Sequence, residues 1–225
     1  MNAKWFAAGL AVFLVGCVHE VGFNAAYVGH RPPDVRAAGK LLLVMPEKQR
    51  TSLYTGTADS RRGSDRTLVV PIGAIDEQIS KTVLGSCFQQ GATIGENLAS
   101  VEDYALAVEP NVVSFVYRYV DVPQEPWQGA ATQTATEETA TERPVLIVPQ
   151  VEVTLSMKVF DHRGRRVLAK TYRSGTVSGK GYFVSNAPAE VIDKLLHQTL
   201  HQLTMQAAAD VSNLLGGSCH LRPRT

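Results

Sequence analysis

The hydrophobic periodicity of this 225-residue sequence predicts an α+β fold, a two-layer sandwich in which a mainly antiparallel sheet carries two principal helices on one face. Three stretches carry that expectation. Residues 151–160 alternate strictly, with Val151, Val153, Leu155, Met157 and Val159 on one side and Glu152, Thr154, Ser156, Lys158 and Phe160 on the other, the period of a half-buried strand. Residues 73–90 repeat Ile75, Ile79, Val83 and Leu84 or Phe88 at helical spacing. Residues 187–215 do the same with Ile192, Leu196, Leu200, Leu203, Ala207, Val211 and Leu214.

Each element has its own local reason. Residues 5–15 form an apolar run behind a single early charge, Lys4, too short for the roughly 20 apolar residues that span a bilayer. Residues 17–39 contain Gly22, Gly29, Pro32 and Pro33, have weak periodicity and read as a tether with a coil reach of about 25 Å. Residues 40–225 then form a single domain. Its first strand, residues 41–45, is continuously apolar up to Pro46, as a strand buried on both faces would be. Residues 47–66 are rich in turn formers. They include Arg61, Arg62 and Arg66 interleaved with Asp59 and Asp65, which reads as a solvated loop, and residues 67–70 return to β-prone sequence.

In the first helix Asp76 and Glu77 fall in the first turn, where the helix dipole favours negative charge, and Gly91 ends the element. Residues 104–120 read as β structure interrupted at Pro110 and Asn111, with Val113, Phe115, Tyr117 and Tyr119 on one face. Residues 123–144 are small and polar, offer too little apolar area to offset ordering, and read as a flexible insertion at a hairpin tip. The turn Asp161-His162-Arg163-Gly164 sends residues 165–173 back as an antiparallel partner of the alternating strand. Asn186 and Pro188 open the last helix and Gly216-Gly217 stops it.

Lys and Arg number 22 against 21 Asp and Glu, a formal net charge of +1. That balance gives no electrostatic case for nucleic acid. Beyond the opening run no apolar stretch approaches membrane-spanning length.

The motif Leu14-Val15-Gly16-Cys17 that closes the opening run resembles the lipobox of a bacterial lipoprotein signal. The resemblance implies removal of residues 1–16 as a signal peptide, a diacylglyceryl group on the Cys17 thiol and further acylation, with palmitate as a label for both. A secretory signal with an incidental cysteine is the alternative. Val18, standing where an inner-membrane retention signal would have Asp, makes the outer membrane the expected location, with the domain lipid-anchored and facing the periplasm. In that oxidising compartment Cys87 and Cys219 have an opportunity to pair. A structural disulfide is expected, with buried free thiols as the other reading.

The element order from Leu41, the strand over 151–161, the Arg163-Gly164 turn and the Tyr172-Arg173-Ser174-Gly175 return strand together resemble the YajG-type family of bacterial lipoproteins. The resemblance implies a small α/β envelope domain similar to the amino end of TolB, of a kind that binds other envelope proteins and catalyses nothing. The insertion at 123–144 and the two periplasmic cysteines depart from the pattern.

A search for chemistry supports no enzyme, cofactor or metal site. His197 and His201 stand four apart on the last helix, a spacing that can ligate zinc, but no Glu follows the first His and the pair falls beside Glu190 and Lys194, which reads as a solvated polar face. Ser178-Gly179-Lys180-Gly181 lacks the Walker spacing and reads as a bend in a strand, and Asp161 beside His162 reads as turn chemistry. No Gly-x-Ser-x-Gly elbow occurs, and Cys87 lacks a nucleophile signature. The expected function is therefore a non-enzymatic outer-membrane lipoprotein that serves as an accessory in envelope assembly, transport or maintenance by binding another envelope protein. The alternative is a periplasmic carrier that holds lipid or glycan in an apolar cavity between helices and sheet.

Overall fold

The computed structural model describes residues 18–123, 145–183, 189–217, 219 and 221–223. Cys17 and the signal, nearly all of the 123–144 insertion, and the cap residues Asn186 and Pro188 lie outside the described residues. The elements in order are β1 (Val18–Glu20), a 3-10 turn (Ala25–Tyr27), β2 (His30–Arg31), β3 (Leu41–Val44), α1 (Glu47–Arg50), β4 (Tyr54–Gly56), β5 (Thr67–Val70), α2 (Ile72–Gly85), β6 (Ala92–Gly95), a second 3-10 turn (Val101–Asp103), β7 (Leu106–Pro123), β8 (Val145–Phe160), β9 (Arg166–Arg173), β10 (Val177–Ser178), α3 (Ala189–Leu214) and β11 (Arg222–Pro223).

The main sheet has six strands in the order β10-β8-β7-β3-β6, with β9 also pairing β8. It is mixed. β3 runs parallel to both β6 and β7, whereas β7–β8, β8–β9 and β8–β10 are antiparallel. A three-stranded sheet, β1-β5-β4, and the pair β2-β11 lie beside it. The alternation in β8 buries Val151, Val153, Leu155, Met157 and Val159, and α2 and α3 bring Ile75, Ile79, Val83, Ile192, Leu196, Leu200, Leu203, Ala207 and Val211 into the same core. Fully burying side chains of this size contributes roughly 1.5–3 kcal/mol each. This is the α+β arrangement that the periodicity predicts, with two main helices packed on the sheet.

The continuously apolar β3 is explained by its two faces. Leu41 and Leu43 enter the main core, while Leu42 and Val44 pack with Val101 and Ala107 on the other face of the sheet. Among the described residues no helix is long and apolar enough to cross a membrane.

Five local expectations need correction. The helix expected over 73–90 begins at Ile72 and ends at Gly85, because after Ser86 the chain turns to send Cys87 and Phe88 into the core. Asp76 accordingly sits a turn inside the helix, fully buried, and has no place in the first turn. β7 is not interrupted at Pro110, since Pro110 and Asn111 pair in register with Met157 and Ser156. Pro110 is tolerated there because its missing N–H would point away from β8, past the last β3 rung at Val108. Val113 is 59% exposed, apart from the buried Phe115 and Tyr117, because a bulge between Val112 and Ser114 reverses the alternation. Leu214 is likewise exposed, at the end of an α3 stripe whose other named members are all buried.

Residues 18–37, expected as a free tether, lie against the domain. β1 pairs with β5, Val21 is buried and donates its N–H to Val69 O at 3.1 Å, and Ala37 bonds Cys87 and Gln89 through its backbone. The turn at 161–164 forms as expected: Asp161 accepts from the N–H groups of Arg163 and Arg165, and Gly164 takes a φ of 71°. Gly216 and Gly217, with φ of 69° and 84°, end α3 in the left-handed conformation that glycine adopts without steric cost.

Cys87 and Cys219 form a disulfide with Cα atoms 5.1 Å apart, tying the carboxyl tail to the end of α2. Both are buried, and Cys219 N–H also donates to Ser212 Oγ at 2.9 Å. Loop closure across a separation of 132 residues restricts the unfolded chain by roughly 5 kcal/mol in the entropy model, an upper value for most proteins. A Cys87→Ala, Cys219→Ala double variant should therefore unfold at clearly lower denaturant, with a loss of about 2–5 kcal/mol. Reduction should move the wild type the same way, and a midpoint that ignores both changes would contradict a structural role.

Candidate functional site

β7 runs 18 residues, but only Leu106 to Val108 pair with the four-residue β3. Beyond Val108 the edge of β7 that faces away from β8 must find other partners. Pro110 O accepts from Gln49 Nε2 on α1. Val112 N–H goes to the Asp76 carboxylate on α2. Further along, Tyr117 O accepts from Asp59 N–H at 2.8 Å and Tyr119 N–H donates to Ser60 Oγ at 3.0 Å. The loop read as solvated is thus tied down, and Arg62 adds a two-pronged contact to Asp121 at 2.7 and 3.0 Å.

Between these ties the edge is open. Val153, opposite Phe115, spends both its backbone groups on Ser174, at 3.0 Å each, so Phe115 directs its own N–H and C=O away from β8. By the same alternation Tyr117 N–H points that way too. Among the described residues these three groups meet no hydrogen-bonding partner. Phe115 lines a surface groove of about 550 Å³, walled on one side by Ser52, Leu53 and Tyr54 and on the other by Val112, Val113 and Phe115 itself, and Tyr117 continues the same edge just beyond it. Leu53 is 63% exposed at its lip, and the Tyr54 and Phe115 rings meet edge to face, with centroids 4.8 Å apart.

The α1 wall is fixed from several sides. Arg50 Nε donates to Met45 O at 3.1 Å and its Nη2 meets Glu96 Oε1 at 2.6 Å, while Glu96 Oε2 accepts from Glu47 N–H at 2.8 Å. Gly73 is required where α2 passes beneath: a Cβ there would lie 1.9 Å from Gln49 O. The wall cannot move without disturbing α2.

Behind the groove lies Asp76, 1% exposed, with Ser80 Oγ donating to it at 3.1 Å. Burial pushes its carboxyl up to about 7, against the pull of the bonds from Ser80 and Val112. A small void of about 10 Å³ lined by Gln49, Ser52, Asp76 and Asn111 lies between this carboxyl and the groove. Sequence reading placed Asp76 in the first turn of the helix, where the dipole favours negative charge. Its i,i+4 relation to Ile72 and Ser80, on the flank of the stripe Ile72, Ile79 and Val83, is the signal that could have shown it facing the sheet.

The other predicted residues fall elsewhere. Cys17 lies outside the described residues, and the Cys87–Cys219 bond is not part of the groove lining. His197 and His201 correct the expectation of a solvated polar face: they are 0% and 7% exposed, because residues 23–30 fold over that side of α3. Among the described residues no group of three or more His, Cys, Asp or Glu side chains comes together in a way that could hold a metal ion.

No family model matches the chain, and no curated protein matches it. Distant structural similarity to bacterial lipoproteins is found among solved structures. A protein from Helicobacter pylori described as a neuraminyllactose-binding hemagglutinin homolog aligns with a TM-score of 0.42 and 8% identity, over 83% of this chain and 90% of that one. A minor lipoprotein of Acinetobacter baumannii aligns at 0.34 and 12% identity, covering 76% and 94%. PelC from Paraburkholderia phytofirmans, described as a dodecamer, aligns at 0.32 and 13%, covering 79% and 96%.

The buried carboxyl sets a pH test. Asp76 titrates near 4 in the unfolded chain and near 7 in the folded one, so between those values the folded state holds the extra proton and stability falls as pH rises. Asp76→Asn keeps an acceptor for Val112 N–H while removing the charge. The variant should flatten the loss of stability between pH 5 and 8, a loss on the order of 2–4 kcal/mol in the wild type. Equal slopes in the two melting-temperature profiles would show that Asp76 is not the titrating group.

Proposed function

We propose that this chain is a non-enzymatic lipoprotein of the bacterial outer membrane, anchored through lipid on Cys17, whose periplasmic domain binds another envelope protein in the groove along β7. The anchor is supported by the Leu14-Val15-Gly16-Cys17 motif, and the narrower relation to the YajG-type family by element order. One observation carries the binding role: a groove lined by Phe115, whose backbone N–H and C=O meet no partner among the described residues, next to the exposed apolar Leu53 and Val113. Such an edge recognises an extended polypeptide by main-chain hydrogen bonds, and the flanking pockets read its side chains.

A lipid or glycan carrier would hold its cargo between helices and sheet. That interface is filled instead by Leu43, Ile79, Leu84, Leu155, Leu196 and Leu200, all fully buried. The groove lies on the surface, where a protein segment reaches it.

Two measurements test the reading. Labelled palmitate should enter the wild type and not Cys17→Ser, and label in the variant, or none in the wild type, would remove the anchor. A photoreactive side chain at Val113 or Leu53 should give a defined protein adduct in intact cells, whereas one at Val167, exposed on β9, should not. Equal capture at all three positions, or none at Val113 and Leu53, would contradict binding in the groove.

A further inference from the structure

We propose that residues 18–31 are a proton-released strap: neutral histidines clamp the segment onto α3, and their protonation frees it, exposing that face of the helix and lengthening the chain between anchor and domain.

The clamp has two jaws. In the first, Asn24 N–H donates to His197 Nε2 at 3.1 Å, while His197 Nδ1 faces Asp193 O at 2.9 Å and Asp193 Oδ1 at 2.8 Å. The proton therefore sits on Nδ1 and the lone pair on Nε2. Phe23 and Tyr27 of the strap close over the ring, with centroids 5.6 and 5.8 Å away. An imidazolium carries no acceptor, so adding a proton to His197 breaks the Asn24 bond.

In the second jaw the donors form a one-way relay. Ser86 Oγ donates to Val83 O at 2.7 Å, so it accepts from His30 Nε2 at 3.2 Å. That leaves His30 Nδ1 as the acceptor for His201 Nε2, 3.5 Å away. One proton fills the space between the two rings, so a proton added on His30 Nδ1 breaks this bond, and protonating both rings sets two cations against each other.

The titratable groups recorded against these rings are Asp193 and Tyr27 around His197, and His30 and His201 around one another. Asp193 accepts on the Nδ1 side of the His197 ring and cannot supply the acceptor that Asn24 loses. Burial, with His30 second, pushes His201 down to about 4, and burial lowers His30 as well. The sign follows. A released strap returns these groups toward 6.5, so the clamp is complete above about 6.5 and weakens progressively as pH falls toward 4. What then remains is the three-residue β1–β5 pairing, Val21 beside it, Val28 packed at the margin of the core, and the two-residue β2–β11 pairing, too little to stand alone.

The release itself needs no lipid, while its effect on reach rests on Cys17 being the anchor. With β1 starting at Val18, a closed strap leaves no free chain between the anchor and the domain. An open one adds about 20 Å of coil for its fourteen residues.

Amide exchange on the full mature chain in detergent, corrected for intrinsic rates, is the test. Between pH 7.5 and 5 the protection of residues 21–28 should fall about tenfold or more while β8 keeps its protection. A His30→Gln, His201→Gln variant should respond less than half as steeply on a logarithmic scale. Retained protection at pH 5, joint loss in strap and β8, or a variant that follows the wild type would each overturn the strap. Because the readout is independent of lipid, a failed palmitate label would remove the anchor and leave this result standing.

Discussion

β7 outruns β3, and most of what distinguishes this domain answers that mismatch. A strand edge inside a folded protein carries one donor and one acceptor at every second residue, and each needs a partner. α1 supplies Gln49 to Pro110, α2 supplies Asp76 to Val112, and the 59–62 loop supplies Asp59, Ser60 and Arg62 further along. The bulge at Val112–Ser114 is part of the same answer, since it turns Val113 outward and brings the N–H groups of Phe115 and Tyr117 to the edge that faces away from β8. The groove is the stretch of edge that none of these reaches. Its binding potential and its walls therefore share one origin.

The sheet and helices were legible because their signal is a period. The strict alternation of residues 151–160 and the stripes from Ile75 and Ile192 read directly as a core, and the Asp161–Gly164 turn follows from side-chain chemistry that acts over four residues. The disulfide was legible in part, from compartment and cysteine count, since the distance between Cys87 and Cys219 is set by how α2 and the tail pack.

Most of the expectations that failed were decided by a partner distant in sequence. Asp76 reads as helix dipole chemistry until β7 arrives to bury it. Pro110 reads as a strand breaker unless β3 is known to stop at its third rung. His197 and His201 read as a solvated flank because the residues that cover them lie some 170 positions away and look like a linker. Weak periodicity marks a segment with no core face of its own. It does not prevent that segment from binding to the polar flank of a finished helix through histidine, amide and aromatic contacts. The same polar composition makes the contact sensitive to protons, which an apolar seam would not be.

The central claim is that Phe115 and Tyr117 present unpaired backbone to a partner strand. Residue-resolved amide exchange of the free protein tests it most directly. The account predicts that Phe115 and Tyr117 exchange quickly, alternating along the strand with the slow Val116 and Arg118 amides bonded to β8, and that both become protected when a partner segment occupies the groove. Phe115 and Tyr117 amides already as protected as their neighbours in the free protein would contradict it.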